Sequence, residues 1–350
     1  MKLHVFNPGH DLALAADKVP FTPPHAARIL QHDLSFIAAV WADDGDMVLV
    51  DDKEAAKESL KRIGLPSKKV IFIERQDMPM LKNVEFEDIC VWGWDKAIKR
   101  QLKDMGVSGD AVFPSDETLD IWRNISARAW AAEHILDKVT AADERFVGVS
   151  RKVTDVVDAL GDANGHKWVL KSPWSCSGRG VRYVKKGGVT PHLEGWVRNV
   201  INKQGYIMAE PFYSKLCDLA LEFFSDGCGN VKYLGLSIFE TRNGAYTGNV
   251  IAPEERKRRI LSRHIPLDLL DKATSCLLDI TAKELGSVYR GIFGIDMMVV
   301  ADNDKGVCLH PCVEMNLRRT MGYVALCIDT SPYIQTKIMR IESDKLIIGY

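Results

Sequence analysis

Four short apolar runs, LHVF (3–6), MVLV (47–50), VIFI (70–73) and ICVW (89–92), punctuate the first 110 or so residues and are separated by segments of helical patterning. A strand that is apolar throughout must be covered on both faces, and parallel strands need long crossovers. The alternation therefore predicts a parallel sheet flanked by helices. The first run passes straight into NPGHD, and ligands of such sheets sit at the carboxyl ends of the strands. Asn7, His10 and Asp11 are thus candidates to touch a substrate; the other reading is a turn with Asp11 capping the helix DLALAAD. Trp92 and Trp94, at the end of the fourth run, either border the same cleft or pack in the core.

Downstream, Pro114 and Ser115 open a helix with Ser115 as its cap, and apolar residues at helical spacing run through DETLDIWRNISARAWAAEHIL, predicting one continuous helix. A compact stretch follows from about 146 to 206: VTDVVDAL as helix, KWVLK as strand, a small-residue loop, VRYV as return strand and LEGWVRNVINK as helix. The last 140 or so residues are strand-rich (YIMAEPF, LALEFF, VKYLGLSIFE, GIDMMVV, VCLHPCVEMN), with one long helix, PLDLLDKATSCLLDITAKELG. A chain of 350 residues has room for two or three modules. Its net charge of -1 supplies no overall attraction to nucleic acid or a membrane surface. No apolar stretch approaches the ~20 residues of a membrane span, and the opening MKLHVFNPGHD turns polar too soon for a signal peptide, so a cytoplasmic protein is expected. The eight cysteines form no CxxC pair, which speaks against a zinc ribbon or disulfide framework and for reduced, mostly buried thiols.

Two constellations carry chemistry. In KWVLKSPWSCSGRGVRYV, two strands flank a loop of small residues whose backbone amides can meet an anion, and Lys171 projects at the strand end as a point charge suited to phosphate. It is not a Walker loop, since no GK[ST] follows. Further on, GIFGIDMMVV contributes Asp296, and HPCVEMNLRR contributes Glu314 and, two residues later, Asn316. Residues two apart on a strand share a face, and acids inside otherwise apolar strands need a partner. Two carboxylates and an amide oxygen suit Mg2+, which prefers a few carboxylates plus substrate phosphates to a full protein cage.

KWVLKSPWSCSGRGV, AEPFYSKLCDLALEFF, GIFGIDMMVV and VEMNLRR, in this order, resemble the ATP-grasp superfamily, which includes D-alanine:D-alanine ligase and biotin carboxylase; the likeness covers about 115–325. It implies an α/β chain (α+β grasp): a Rossmann-like parallel-sheet domain preceding the grasp at 1–113, a small lid subdomain with its linking helix at 114–207, and a C-terminal subdomain with the metal site at 208–350. It implies that Lys171 holds the α- and β-phosphates of ATP and that Ser175–Gly180, including Ser177 and Gly178, form the lid loop. Glu210–Tyr213, with Phe212, would be the hinge at the adenine, Asp218 the ribose acid, and Asp296, Glu314 and Asn316 the ligands of Mg2+ or Mn2+. Arg318 resembles the arginine that stabilises a reacting acyl phosphate.

The chain departs from the pattern where the family's helix after the linker carries an Asp-Lys pair: here the sequence reads RNISAR, and Arg128, or Arg123, would have to replace that second phosphate contact. Gly294 stands where the D-alanine ligases have arginine. The resemblance implies an ADP-forming carboxylate-amine ligase acting on small molecules through an acyl phosphate, with no nucleic-acid or membrane partner and the oligomeric state open. A small-molecule kinase and a nucleotide-binding module without turnover are the alternatives. Arg242 and Asn249, in ETRNGAYTGN, are either substrate determinants or turn residues, and EERKRR (254–259) reads as a solvated helix face rather than a polyanion site.

Overall fold

The structure is a computed structural model that describes the chain except for residues 65–68, 82–83, 110–111, 162–166, 176–179, 186, 243, 303, 329, 331–334, 344 and 350. Chain order begins β1 (Lys2–Val5), α1 (His10–Ala16), α2 (His25–Leu34), β2 (Met47–Leu49), α3 (Lys53–Arg62), β3 (Ile71–Ile73), β4 (Asp88–Val91), α4 (Lys96–Asp104) and α5 (Asp116–Ile125). It continues with α6 (Arg128–Ala131), α7 (Asp137–Thr140), β5 (Arg151–Val153), α8 (Val156–Gly161), β6 (Trp168–Lys171), β7 (Val181–Val184), α9 (Pro191–Gln204) and β8 (Ile207–Pro211). The remainder is β9 (Ser214–Asp226), β10 (Val231–Arg242), β11 (Ala245–Ile251), α10 (Glu254–Leu261), α11 (Leu267–Glu284), β12 (Arg290–Asp302), β13 (Gly306–Asn316), α12 (Met321–Cys327), β14 (Lys337–Glu342) and β15 (Lys345–Gly349). No helix among the described residues is long and apolar enough to cross a membrane.

The chain divides into two compact units, one of Met1–Arg123, Gly248–Ala252 and Arg318–Tyr350, the other of Asn124–Thr247 and Pro253–Leu317. In the first, the four expected runs form an all-parallel sheet in the order β3-β2-β1-β4. Both faces are buried, as apolar runs demand. Leu3, Val5, Ile89 and Val91 pack against Ile98 and Leu102 of α4 on one side. Phe6, Val48 and Val50 join the 3-10 segment Ser35–Val40 with Val324 and Ala325 of α12 on the other. Trp92 belongs to this second cluster, edge-on to Phe6 at 5.0 Å, so it packs in the core. The last residues of β11 pair with β14, which pairs with β15.

The second unit holds two antiparallel sheets, β5-β8-β6-β7 and the four strands β13-β12-β9-β10. KWVLK and VRYV form the expected hairpin, with Lys171 opposite Val181. Helix α9 follows its capping signals: Thr190 accepts the Leu193 amide, Pro191 opens the first turn, and Gly205 leaves at φ 86°. On the larger sheet one face is apolar, with Phe223 stacked on Phe293 at 5.2 Å.

Three expectations need correction. The helix begun at Ser115, whose hydroxyl does accept the Thr118 amide, stops at Ile125. Ala127 is extended (φ -71°, ψ 141°), Ser126 accepts the Trp174 indole N–H at 3.1 Å and the Arg128 amide turns to the Pro173 carbonyl. The loop after β6 thus takes the bonds that a continuous helix would have made. Asp11 is not a helix cap: α1 is capped at Gly9, and Asp11 lies inside its first turn. EERKRR forms a helix, but Lys257 is buried and donates to the Leu236 carbonyl at 2.5 Å, so that face is only partly solvated. Of the described cysteines, Cys308 and Cys312 are fully buried, Cys228 is exposed and the others are half-buried.

Candidate functional site

Cross-strand register builds the candidate site of the second unit. Residues directly opposite in an antiparallel pair share a face, and three rows of such residues cross β9, β12 and β13: Asp218, Met298 and His310; Ala220, Asp296 and Glu314; Glu222, Gly294 and Asn316. The two acids and the amide singled out in the sequence are therefore neighbours on one face. Asn316 Nδ2 donates to Asp296 Oδ2 at 3.2 Å; Asp296 stands at the centre of the second row between Ala220 and Glu314, and Gly294 at the centre of the third between Glu222 and Asn316. The rows are two residues apart on β9 and β12, but His310 and Glu314 are four apart on β13. Pro311 explains the difference: it has no N–H for the ladder and is tolerated in a strand where pairing is interrupted.

Inside that irregular stretch the Val313 carbonyl accepts from Lys171 Nζ at 3.4 Å. Lys171 also meets Glu210 Oε2 at 2.5 Å, and Glu210 Oε1 accepts from Ser150 at 2.8 Å. Lys171 is 7% and Glu210 5% exposed, so the pair is one in which each charge depends on the other. Arg128 lies buried at the start of α6. Its Nη2 donates to Glu314 Oε1 at 2.6 Å, and its Nη1 to the Ser172 carbonyl at 2.6 Å and to Ser175 Oγ at 3.0 Å. The alternative, Arg123, is occupied in the first unit by the Leu14 carbonyl and Asp17. Of the two arginines, only Arg128 is gathered with the loop after β6 and with Glu314.

That loop is pinched at its base, where the Ser172 amide donates to the Gly180 carbonyl at 2.8 Å. A Cβ at Gly180 would stand 2.3 Å from the Ser175 Cβ, so only glycine fits. Ser177 and Gly178 lie outside the described residues. In the hinge segment, Tyr213 is edge-on to His310 at 5.4 Å, while Phe212 is 44% exposed and edge-on to Tyr183 at 6.1 Å. Asp218 accepts from Lys215 at 2.5 Å and Thr241 at 2.7 Å. Burial pushes the Tyr213 phenol up and the His310 imidazole down to about 3, the Lys171 charge acting on His310 in the same direction.

Sequence reasoning missed His310 and Glu222 of this face. The signal of His310 was a histidine in an apolar strand four residues before VEMN's glutamate, and that of Glu222 an acid inside LALEFF, but only the register shows that they share the face. Two carboxylates and one amide oxygen fit Mg2+, whose remaining ligands are ordinarily phosphate and water. Among the described residues no group of three or more His, Cys, Asp or Glu side chains is placed to hold a metal.

In the first unit, Arg318 is held by Asp11, with Nε to the two carboxylate oxygens at 3.0 and 3.1 Å and Nη2 to Oδ2 at 2.9 Å. Its guanidinium lies 5.9 Å from the centre of the Trp92 ring. His10 and Asn7, close to Asp11 in sequence, are buried rather than displayed on the surface. Arg242 is exposed, whereas Asn249 is buried in β11, opposite Met339.

No family model and no curated protein matches the chain by sequence. Solved structures do match its shape. N5-carboxyaminoimidazole synthetase from Staphylococcus aureus, complexed with ADP, superposes with a TM-score of 0.52 at 12% identity over 97% of this chain and 82% of that one. The biotin carboxylase domain of Hydrogenobacter thermophilus 2-oxoglutarate carboxylase, in complex with MgADP, ADP and bicarbonate, gives 0.52 at 14% identity, covering 97% and 74%. A protein from Archaeoglobus fulgidus described as of the ATP-grasp superfamily gives 0.51 at 11% identity, covering 100% and 99%. At such identities the likeness is one of fold.

Proposed function

Since the chain has the ATP-grasp fold, we propose that it is a MgATP-dependent ligase that joins a small carboxylate to an amine through an acyl phosphate and releases ADP and phosphate. The observation that carries this reading is the face on which Asp296 stands directly opposite Glu314, with Asn316 in the next row and the Arg128 guanidinium on Glu314. In this reading Lys171 and Arg128 hold the phosphates, Ser175–Gly180 close over them, Glu210–Tyr213 meet the adenine and Asp218 the ribose. Asp296, Glu314 and Asn316 hold Mg2+, which when bound neutralises charge on the transferring phosphoryl group. The division into 1–113, 114–207 and 208–350 is part of the same proposal.

The chain's own part in such chemistry is positioning and electrostatics. Glu210 now compensates Lys171, and Glu314 compensates Arg128, so each cation is already fixed in place by a carboxylate. Triphosphate oxygens would share these cations, and the side chains would need little reorganisation to meet them. Arg318, a planar fork held by Asp11, is suited to a carboxylate or acyl phosphate oxygen.

The test is a library of carboxylates (amino acids, hydroxy acids, dicarboxylates, bicarbonate) offered with MgATP and hydroxylamine, scored for ADP and for hydroxamate. Carboxylate-dependent ADP together with hydroxamate is expected. AMP with pyrophosphate, phosphate transferred to an acceptor, or no turnover with any carboxylate would overturn the reading.

A further inference from the structure

The loops that follow β1 and β4 carry a buried cluster that the nucleotide chemistry leaves unused. In the order β3-β2-β1-β4 the chain leaves β1 for a strand on one side and returns to build β4 on the other. At such a reversal, connections diverge from the two carboxyl ends and open a crevice, the usual ligand position of open parallel sheets. The loops here are NPGHD and WGWD.

Their side chains are tied tightly. Asn7 Nδ2 donates to the Gly93 carbonyl at 2.8 Å, and the Gly93 amide donates back to Asn7 Oδ1 at 3.3 Å. His10 lies flat on Gly93; a Cβ there would be 2.4 Å from the His10 Cδ2, so the close approach requires glycine. His10 Nδ1 is 2.9 Å from Asp95 Oδ2, while Asp95 Oδ1 accepts the Ile98 amide at 2.9 Å as the cap of α4. A carboxylate can only accept here, so Nδ1 carries a proton, and in the neutral imidazole the lone pair is on Nε2. Nε2 makes no hydrogen bond among the described residues, although the side chain is 3% exposed. His4, in β1, makes a comparable pair with Asp46, but its second nitrogen is sealed in the protein, whereas His10 Nε2 is not among the sealed atoms. The residue after His10 holds Arg318, the arginine that the ligase reading puts on the acyl phosphate.

A tautomer set by a buried carboxylate, with an uncommitted nitrogen at a ligand crevice, is the arrangement of a general base. We propose that His10, oriented by Asp95, takes the proton of the amine nucleophile, and that the amine sits in the crevice between the ends of β1 and β4. This inference rests on the ligase reading. The ammonium gives one N–H proton to His10 Nε2, the freed lone pair forms the C–N bond at the acyl carbon, and the C–O bond to phosphate breaks with its electron pair on the departing phosphate, which takes up the second N–H proton. His10 then returns the proton to solvent.

The experiment compares two nucleophiles on the full chain, using the carboxylate that the hydroxamate screen selects. Hydroxylamine is largely uncharged at neutral pH and attacks acyl phosphates without a base; methylamine is protonated and needs one. In Asp95→Asn and His10→Asn the ratio of methylamide to hydroxamate should fall at least hundredfold, in the range of a lost general base. Asn at 95 keeps the cap of α4, so Asp95→Asn is the variant expected to melt within a few degrees of wild type. A ratio unchanged in both variants, whether the two products fall together or neither falls, overturns the proposal and leaves the ligase reading standing. A wild type that forms no hydroxamate with any carboxylate overturns both.

Discussion

Lowering the pH from 7.5 to 5 should remove about 2 kcal/mol of stability from the second unit through His310 alone. The ring is 1% exposed, both its nitrogens are sealed without a hydrogen-bond partner among the described residues, and Gly148 lies against it so closely that a Cβ there would stand 2.8 Å from Nε2. Burial therefore disfavours the imidazolium and holds the folded-state value at about 3, against 6.5 for an unperturbed histidine. The sign follows from proton counting. Between these two values the unfolded chain binds a proton and the folded chain does not, so stability is full above 6.5 and falls as the pH drops from 6.5 toward 3. At pH 5 the unfolded histidine is about 1.5 units below its own value, and at about 1.36 kcal/mol per unit the loss is about 2 kcal/mol. Other groups titrate over the same range, so the measurement is a difference: urea unfolding of wild type and His310→Leu at both pH values. Leucine has a similar volume and no nitrogens to desolvate, so at pH 7.5 it should cost little or stabilise by about 1 kcal/mol. The variant's advantage should then grow by about 2 kcal/mol at pH 5. A gap of the same size at both pH values would refute the neutral, buried histidine.

Two predictions concern the candidate nucleotide site. Lys171→Ala should weaken MgATP binding by more than tenfold in calorimetry, and should also lower the melting temperature, because it leaves Glu210 as a buried charge without its lysine; unchanged affinity removes Lys171 from the phosphate site. Glu314→Gln, which keeps shape and removes charge, should lower ATP-dependent turnover by about two orders of magnitude and lower the melting temperature without unfolding the chain, since buried Arg128 loses its carboxylate but keeps an amide oxygen as acceptor; normal turnover with normal magnesium dependence would make VEMN merely a strand.

Local patterns in the sequence determined much of this protein. Continuous apolar runs separated by helical segments specified the parallel sheet, because a strand buried on both faces must be apolar at every position and parallel pairing needs a crossover. Small residues between KWVLK and VRYV specified the hairpin, and the two-residue repeat of a strand put Glu314 and Asn316 on one face. What tertiary structure decided is everything that depends on cross-strand register and on partners distant in the chain. Asp296 could be seen to be near Glu314, but that His310 and Asp218 share their face follows from which residues of β9, β12 and β13 lie opposite one another, with Pro311 shifting the count. Arg128 was the preferred candidate over Arg123, but its partners Ser172, Ser175 and Glu314 are 44 to 186 positions away and only folding brings them to it. Asp11 read as either a substrate contact or a helix cap, because both are visible within a few residues, whereas its partner Arg318 is 307 positions away. Strands β11, β14 and β15 carried too little apolar alternation to be seen, and hydrogen-bonded pairing with one another supplies what their own sequences do not. A chain records in sequence the forces that act within a few residues, and leaves to folding those that act only when remote segments meet.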